Sequence, residues 1–323
     1  MTSMDKPIYA LEGKRIFIAG HTGMVGSALM RRFAQENCEI ITASHSTLDL
    51  TRQSPTESYI ADVKPDVIIV AAARVGGILA NAQYPADFLY DNLAIGMNVI
   101  HAAHLCNVER LLWLGSSCIY PRDAVQPLQE SALLTAPLEP TNEAYAIAKI
   151  AALKYAQACS KQYGSHFMTA MPTNLYGPND NFDLNSSHVL PALMRRIHEA
   201  KTSGADRVIV WGSGNPLREF LHVDDLADAC FYLLCHYHQA DPINIGSGEE
   251  VSITELALML ADIIGFQGKI ENDLSKPDGT PRKLLDTSHM KALGWSPRIR
   301  LQQGLAEVYY NWSRQFATSE AAA

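Results

Sequence analysis

The feature that most constrains the fold is a strand, a glycine turn and a helix in immediate succession. Arg15-Ile16-Phe17-Ile18-Ala19 is a short apolar run. It leads into Gly20-His21-Thr22-Gly23-Met24-Val25-Gly26, after which Met24, Val25, Ala28, Leu29 and Phe33 recur at helical spacing. Glycines at 20, 23 and 26 let the backbone turn sharply and leave the first amides of the helix open to a phosphate, at the positive end of the helix dipole. A glycine triplet alone is as readily a structural turn. Its place between strand and helix is what makes it a dinucleotide loop. No Gly-Lys-Ser/Thr closes it, which excludes a Walker-type triphosphate site.

Similar units follow. Glu39 to Thr42, Asp66 to Ala71 and Arg110 to Leu114 are apolar nearly throughout rather than alternating, the mark of strands buried on both faces of a parallel sheet. Helices are expected from Ser54 to Asp62, Ala86 to Asn107 and Asn142 to Tyr163. The order βαβαβαβα predicts an α/β fold, a Rossmann-type doubly wound parallel sheet. Beyond about Met171, turn-rich stretches at Tyr176 to Ser187 and Trp211 to Pro216 alternate with helices near Val189 to Ala200 and Ile253 to Ile264. This predicts a smaller C-terminal α/β substrate domain. The expected boundaries are 1–172 for the dinucleotide domain, with 219–240 returning to it, and 173–218 with 241–323 for the second. A chain of 323 residues, 47% of them hydrophobic, can fill two cores.

Composition narrows the partners. The six cysteines, at 38, 106, 118, 159, 230 and 235, form neither a C-x-x-C pair nor a Cys/His cluster, so free thiols and no metal are expected. A net charge of −8 argues against nucleic-acid and anionic-membrane surfaces and requires any phosphate recognition to be local. No apolar run approaches the roughly 20 residues of a membrane span, and the first residues lack the apolar core of a secretion signal. A cytoplasmic location is expected. The end of the second strand, Ala43-Ser44-His45-Ser46, lacks the carboxylate that holds a ribose 2′-hydroxyl, which favours NADP over NAD; His45 is a candidate contact.

Tyr145 and Lys149 are four residues apart, so on a helix their head groups share a face. A neighbouring ammonium favours phenolate, which predicts a lowered Tyr145 pKa and a proton donor and acceptor usable near neutrality. The pair lies downstream of Leu114-Gly115-Ser116-Ser117-Cys118-Ile119-Tyr120-Pro121, at the carboxyl end of the fourth strand, where open α/β sheets place ligands.

The glycine triplet, Ala71-Ala72-Ala73 after the third strand, Ser116 four residues before Tyr120, and Tyr145 with Lys149 resemble the extended short-chain dehydrogenase/reductase superfamily. Ala73 to Ile78, Tyr84 to Phe88, Gly115 to Pro121, Pro172 to Pro178 and Lys276 to Lys283 are similar to its branch that handles GDP-linked 4-keto-6-deoxy sugars. That resemblance runs from about Lys14 to near Trp312. It implies epimerisation at C3 and C5 of a GDP-4-keto-6-deoxy sugar, then reduction of the C4 ketone by NADPH. Catalytic roles fall on Ser116 (with Ser117 the fallback), Tyr145 and Lys149 for the hydride step, and on Cys118 and His188 as the acid/base pair, which of them is acid and which base being left open.

For the cofactor the resemblance implies Gly20, His21, Thr22, Gly23, Met24, Val25, Gly26, Leu114, Gly115, Ser116, Tyr145, Lys149, Pro172, Thr173, Asn174, Leu175 and His188. For the GDP-sugar it implies Asn174, Arg196, Trp211, Arg218 and Asp278, with Lys283 and Arg282 as further cations for the diphosphate. It also implies a homodimer through the two long helices. One departure stands out: relatives carry arginines in the glycine loop and after the second strand, where this chain has Thr22, Ala43 and His45, and dual cofactor use stays open. A related GDP-sugar epimerase/reductase, a simple sugar-nucleotide 4-epimerase with bound NAD, and a non-catalytic dinucleotide sensor are the alternatives. Cys118 and His188 speak against the second, and the Ser116, Tyr145 and Lys149 set against the third.

Overall fold

The computed structural model describes residues 6–184, 186–276 and 278–321. Asn185, Pro277 and the extreme ends of the expected 1–172 and 241–323 segments lie outside the described residues. The chain runs β1 (Arg15–Ala19), α1 (Met24–Phe33), β2 (Glu39–Ile41), α2 (Gln53–Val63), β3 (Val67–Val70), α3 (Ile78–Gln83), α4 (Pro85–Leu105), β4 (Arg110–Leu114), α5 (Glu143–Tyr163) and β5 (His166–Pro172). It continues through β6 (Asn174–Tyr176), α6 (Val189–Ser203), β7 (Arg207–Trp211), β8 (Leu217–His222), α7 (Val223–His236) and β9 (Ile243–Ile245). It closes with β10 (Glu250–Ser252), α8 (Ile253–Ile264), β11 (Lys269–Asp273), β12 (Arg282–Lys283), α9 (Ser288–Ala292) and α10 (Leu301–Ala321).

Six strands form one parallel sheet in the order β2-β1-β3-β4-β5-β9. The order reverses between β1 and β3, which opens a crevice at their carboxyl ends. Each central strand feeds two cores because successive side chains point to opposite faces. Ile16, Ile18, Val67, Ile69, Leu112 and Leu114 meet α1 and α7, while Phe17, Ala19, Ile68, Val70, Leu111 and Trp113 meet α2, α4 and α5. This two-sided burial is why the strands read as apolar runs.

The segment 219–240 was expected to return to the first domain, and α7 packs in the core shared with α1. The sheet takes more of the chain than those boundaries allow: β9 is its sixth strand although 243–245 fell within the second segment. The smaller unit is built around β8, which pairs with β10, β12 and β6, beside a separate β7-β11 pair, all packed on α6, α8 and α10. Among the described residues no helix is long and apolar enough to cross a membrane.

Helices α4 and α5 approach closely because Gly96 presents no side chain. A Cβ there would lie 2.6 Å from the Ala152 Cβ and 3.2 Å from the Trp113 ring. That contact seats α5, and so Tyr145 and Lys149, against β4. We expect Gly96→Val to destabilise the fold by about 1–3 kcal/mol through overpacking, read as a lower urea midpoint. An unchanged midpoint would show that α5 is not held by this contact.

Candidate active site

One continuous cleft of about 1610 Å³ runs from the carboxyl ends of β1 and β3, past β4, to β7 and β8. Every candidate named from the sequence except Arg282 lines it, from Gly20 to Gly26, through Leu114, Gly115, Ser116 and Cys118, to Tyr145, Lys149, Pro172 to Leu175, His188, Arg196, Trp211, Arg218, Asp278 and Lys283.

At the glycine loop the three glycines differ in what they permit. Gly20 has φ +86°, and a Cβ would meet the Ala72 amide nitrogen at 2.6 Å. A Cβ on Gly26 would sit 2.0 Å from the Gly20 carbonyl, so this glycine serves the packing of α1 on β1. At Gly23 the nearest atom would be 3.6 Å away. Its missing side chain therefore leaves room for a ligand at the start of α1, a helix without a side-chain cap or an acidic residue in its first turn. His21 Nδ1, buried in the same loop, has no protein partner. These features fit a dinucleotide diphosphate.

The outer end of this region is bordered by His45, Asp49 and Arg52. Arg52 was not singled out from the sequence. It stands before the first residue of α2, well exposed, with Nε 3.5 Å from the Asp49 carboxylate; His45 is exposed and 3.9 Å from the same carboxylate.

The centre of the cleft lies where β4 ends. A Cβ on Gly115 would collide with the Met171 sulfur at 2.4 Å, so the chain passes tightly over β5 before the turn Ser117–Ile119. The Ser116 hydroxyl accepts from the Cys118 amide at 3.3 Å and hydrogen-bonds Tyr145, which separates it from Ser117. Lys149 is buried; its Nζ donates to the Leu114 carbonyl at 2.9 Å and lies 4.2 Å from the Trp113 ring centre. Burial lowers its amine to about 7.

The expectation of a lowered Tyr145 pKa does not hold in this structure. Burial, followed by the nearby Cys118, pushes the phenol above its ordinary value, and the Ser116 hydrogen bond offsets only part of this. Lys149 donates to Leu114 instead and lies 5.8 Å from the Tyr145 ring centre. Tyr145 is therefore a phenol near neutrality.

Cys118 goes the other way. Burial raises its thiol, but the Lys283 charge, hydrogen bonds with Ser116 and Lys283, and the Arg218 charge together bring it below the ordinary value. Lys283 Nζ donates to Cys118 Sγ at 3.4 Å. His188 opens into the same cleft just before α6, and desolvation there, then Lys283, lower its imidazole.

At the far end the Arg196 guanidinium and the Lys276 ammonium lie 5.0 and 5.5 Å from the Trp211 ring centre, and half of Trp211 is exposed. Asp278 accepts from the Ser213 amide at 2.8 Å and hydroxyl at 2.7 Å, which fixes the turn after Trp211. Asn174 donates to the Glu219 carbonyl at 2.8 Å. Arg282, a candidate for the diphosphate, is bound instead to Glu250 at 2.8 and 3.0 Å; on a strand it must face away from its neighbour Lys283, which does line the cleft.

Residues 16–246 match the sequence profile of the NAD dependent epimerase/dehydratase family. The chain belongs to this family. Among its relatives, a GDP-L-fucose synthase of Sinorhizobium fredii is 57% identical over 303 residues, 94% of this chain and 96% of the relative. A GDP-L-colitose synthase of Yersinia pseudotuberculosis is 39% identical over 91% of this chain and 96% of its own. The solved structure of a GDP-mannoheptose C4 reductase from Campylobacter jejuni with NADP bound superposes with a TM-score of 0.86 at 34% identity, covering 94% of this chain and 98% of that one.

The buried Lys149 makes a prediction about stability. The unfolded chain keeps the lysine proton up to about 10.5, whereas the folded chain releases it near 7. Between those values the unfolded state binds more protons, so this group makes stability rise with pH across that window. Lys149→Met should flatten the rise in denaturant titrations of the ligand-free protein at pH 7 to 10. An equal slope in both proteins would contradict the burial of a neutral amine.

Proposed function

We propose that this enzyme converts GDP-4-keto-6-deoxy-D-mannose to GDP-L-fucose, inverting C3 and C5 and then reducing the C4 ketone with NADPH. The observation that carries the reading is that Cys118 and His188 line the same cleft as Ser116, Tyr145 and Lys149. A simple 4-epimerase has no use for the first pair. Identity of 57% to the relative named GDP-L-fucose synthase, against 39% to the one named GDP-L-colitose synthase, favours the fucose product.

NADPH, when bound, supplies the hydride. The residues that would hold it are the loop Gly20 to Gly26 at the diphosphate, with His45 and Arg52 as the cations offered to the 2′-phosphate. Leu114, Gly115, Ser116, Tyr145, Lys149, Pro172 to Leu175 and His188 complete that side. Arg196, Trp211, Arg218 and Asn174 face the GDP-sugar, and Asp278 acts by holding the Trp211 turn. In this division the main sheet serves the cofactor and the unit around β8 the substrate.

The chemistry follows from the protonation states. Hydrogens on C3 and C5 flank the ketone, so removal of either leaves negative charge on the C4 oxygen. Hydroxyls of Ser116 and Tyr145 donate to that oxygen. Cys118 and His188 exchange the carbon-bound protons, Cys118 having a depressed thiol pKa and His188 a depressed imidazole pKa. Because burial keeps Tyr145 protonated, it is the donor to the C4 oxygen when the ketone is reduced.

The setting we propose is a cytoplasmic homodimer joined through α4 and α5, which expose Tyr90, Leu105, Ile147 and Tyr163. With GDP-4-keto-6-deoxymannose and NADPH, NMR should identify GDP-L-fucose as product; turnover of a different ketone in its place would overturn the assignment. Cys118→Ser should suppress deuterium uptake from solvent at C3 and C5 by about 100-fold or more while NADPH affinity is unchanged. Undiminished uptake would remove Cys118 from the mechanism.

A further inference from the structure

Hydride transfer does not account for Lys283. Its strand, β12, is two residues long, runs parallel to β8, and splits its charges: Arg282 is bound to Glu250, and Lys283 reaches the Cys118 sulfur at 3.4 Å. The strand and its flanks are held from several directions. Leu217 donates its amide to the Pro281 carbonyl at 2.8 Å, and the Leu284 amide donates to Gln126 Oε1 at 3.0 Å. Leu128 donates to the Leu284 carbonyl at 2.7 Å, and the Leu285 amide donates at 3.0 Å to the carboxylate of Glu219, a fully buried residue.

The loop that carries Cys118 is tied to the same frame. Tyr120, two residues beyond Cys118, donates its hydroxyl to Asn244 Oδ1 at 2.6 Å. The Asn244 amide in turn donates to the carbonyls of Leu128 at 2.9 Å and Asp286 at 3.2 Å. Cysteine and lysine, 165 positions apart in the chain, thus share one buried scaffold, and their separation is set by it rather than by two flexible side chains alone.

We propose that Lys283 is a positioning residue for Cys118: its ammonium, donating to the sulfur at 3.4 Å, orients it and favours its thiolate form for taking a proton from the substrate carbon. The proposal rests on the reading of Cys118 as a member of the epimerisation pair. The proton balance is simple. The thiolate takes the proton and becomes a thiol, the C–H electron pair moves to the ketone oxygen as an enolate, and the enolate collapses as the conjugate acid of His188 delivers a proton to the opposite face of the carbon; Lys283 stays an ammonium beside the sulfur throughout.

Other groups facing the sulfur are accounted for. Arg218 is a second cation, of smaller influence, with Nη1 engaged by the Leu217 carbonyl at 2.8 Å. Ser116 hydrogen-bonds the sulfur, and burial first, then Cys118, raises the Tyr145 phenol. Asp278 draws on Arg218, and desolvation, then Lys283, lower the His188 imidazole. The other five cysteines all have raised thiol values through burial, so Cys118 stands apart.

The test is the pH dependence of alkylation of Cys118 by iodoacetamide in the full-length protein without substrate, followed on its own peptide by mass spectrometry. In the wild type the midpoint should lie below the usual thiol value of about 8.5. Lys283→Met should move it up by about one unit or more, which slows alkylation at neutral pH roughly tenfold, and Lys283→Arg should restore most of the rate. Lys283→Gln serves as the second variant should the methionine substitution not fold. In the same proteins deuterium uptake at C3 and C5 should lose kcat by a similar factor, with a pH profile displaced upward and KM for the GDP-sugar nearly unchanged.

An unmoved Cys118 titration overturns the proposal, and an increase confined to KM would make Lys283 a substrate phosphate ligand instead. If the wild type exchanges C3 and C5 hydrogens while the titration does not move, the function stands and the proposal fails. If the titration moves but the wild type exchanges neither hydrogen, the pairing stands and its role in epimerisation is overturned.

Discussion

Lys149 is an amine driven into the sheet's carboxyl edge, where its Nζ meets the Leu114 carbonyl at 2.9 Å above the ring of a wholly buried Trp113. The site depends on that contact. It exists because Gly96 and Ala152 let two 21-residue helices close on each other, so that α5 lies directly over β4. One turn earlier on α5, Tyr145 then faces Ser116, and two residues after Ser116 comes Cys118. A buried amine and a half-buried phenol and thiol are thereby placed in one cleft, their pKa values shifted by burial and by charge.

The consequences are unequal. Burial favours the neutral form of any group, so it lifts Tyr145 and lowers Lys149. Only Cys118 resists, because Lys283 and Arg218 arrive from the unit around β8. On the proposed roles, the two half-reactions draw on different parts of the fold. In the proposed reaction the proton donor for reduction, Tyr145, belongs to the main sheet and its helix, and the cation beside the Cys118 sulfur, Lys283, belongs to the second unit. The cleft is chemically complete only where they meet.

Much of this was legible in the sequence. Strands β1 and β4 have the bounds expected of them because fully buried parallel strands are continuous apolar runs, and α8 likewise, since its Ser252 and Glu255 form a capping box before an amphipathic turn. What stayed hidden had no local signal. β9 is Ile243-Asn244-Ile245, whose polar centre breaks the apolar run and is satisfied by residues more than 40 positions away. β12 is a pair of charged residues, and nothing in the chain separates Arg282, bound to Glu250, from Lys283, aimed at Cys118. The direction of the Tyr145 shift was misread because four-residue spacing shows that two groups share a helix face and says nothing of how deeply that face is buried.

The central claim is that proton exchange at C3 and C5 and hydride delivery to C4 are carried by separable groups in one cleft. Solvent deuterium uptake and NADPH oxidation, followed together in Tyr145→Phe with GDP-4-keto-6-deoxymannose, test it most directly. NADPH oxidation should fall by about 100-fold or more, while deuterium still enters C3 and C5 at a measurable rate because Cys118, His188 and Ser116 remain. Loss of both in equal measure, in a folded variant that binds NADPH normally, would contradict the account.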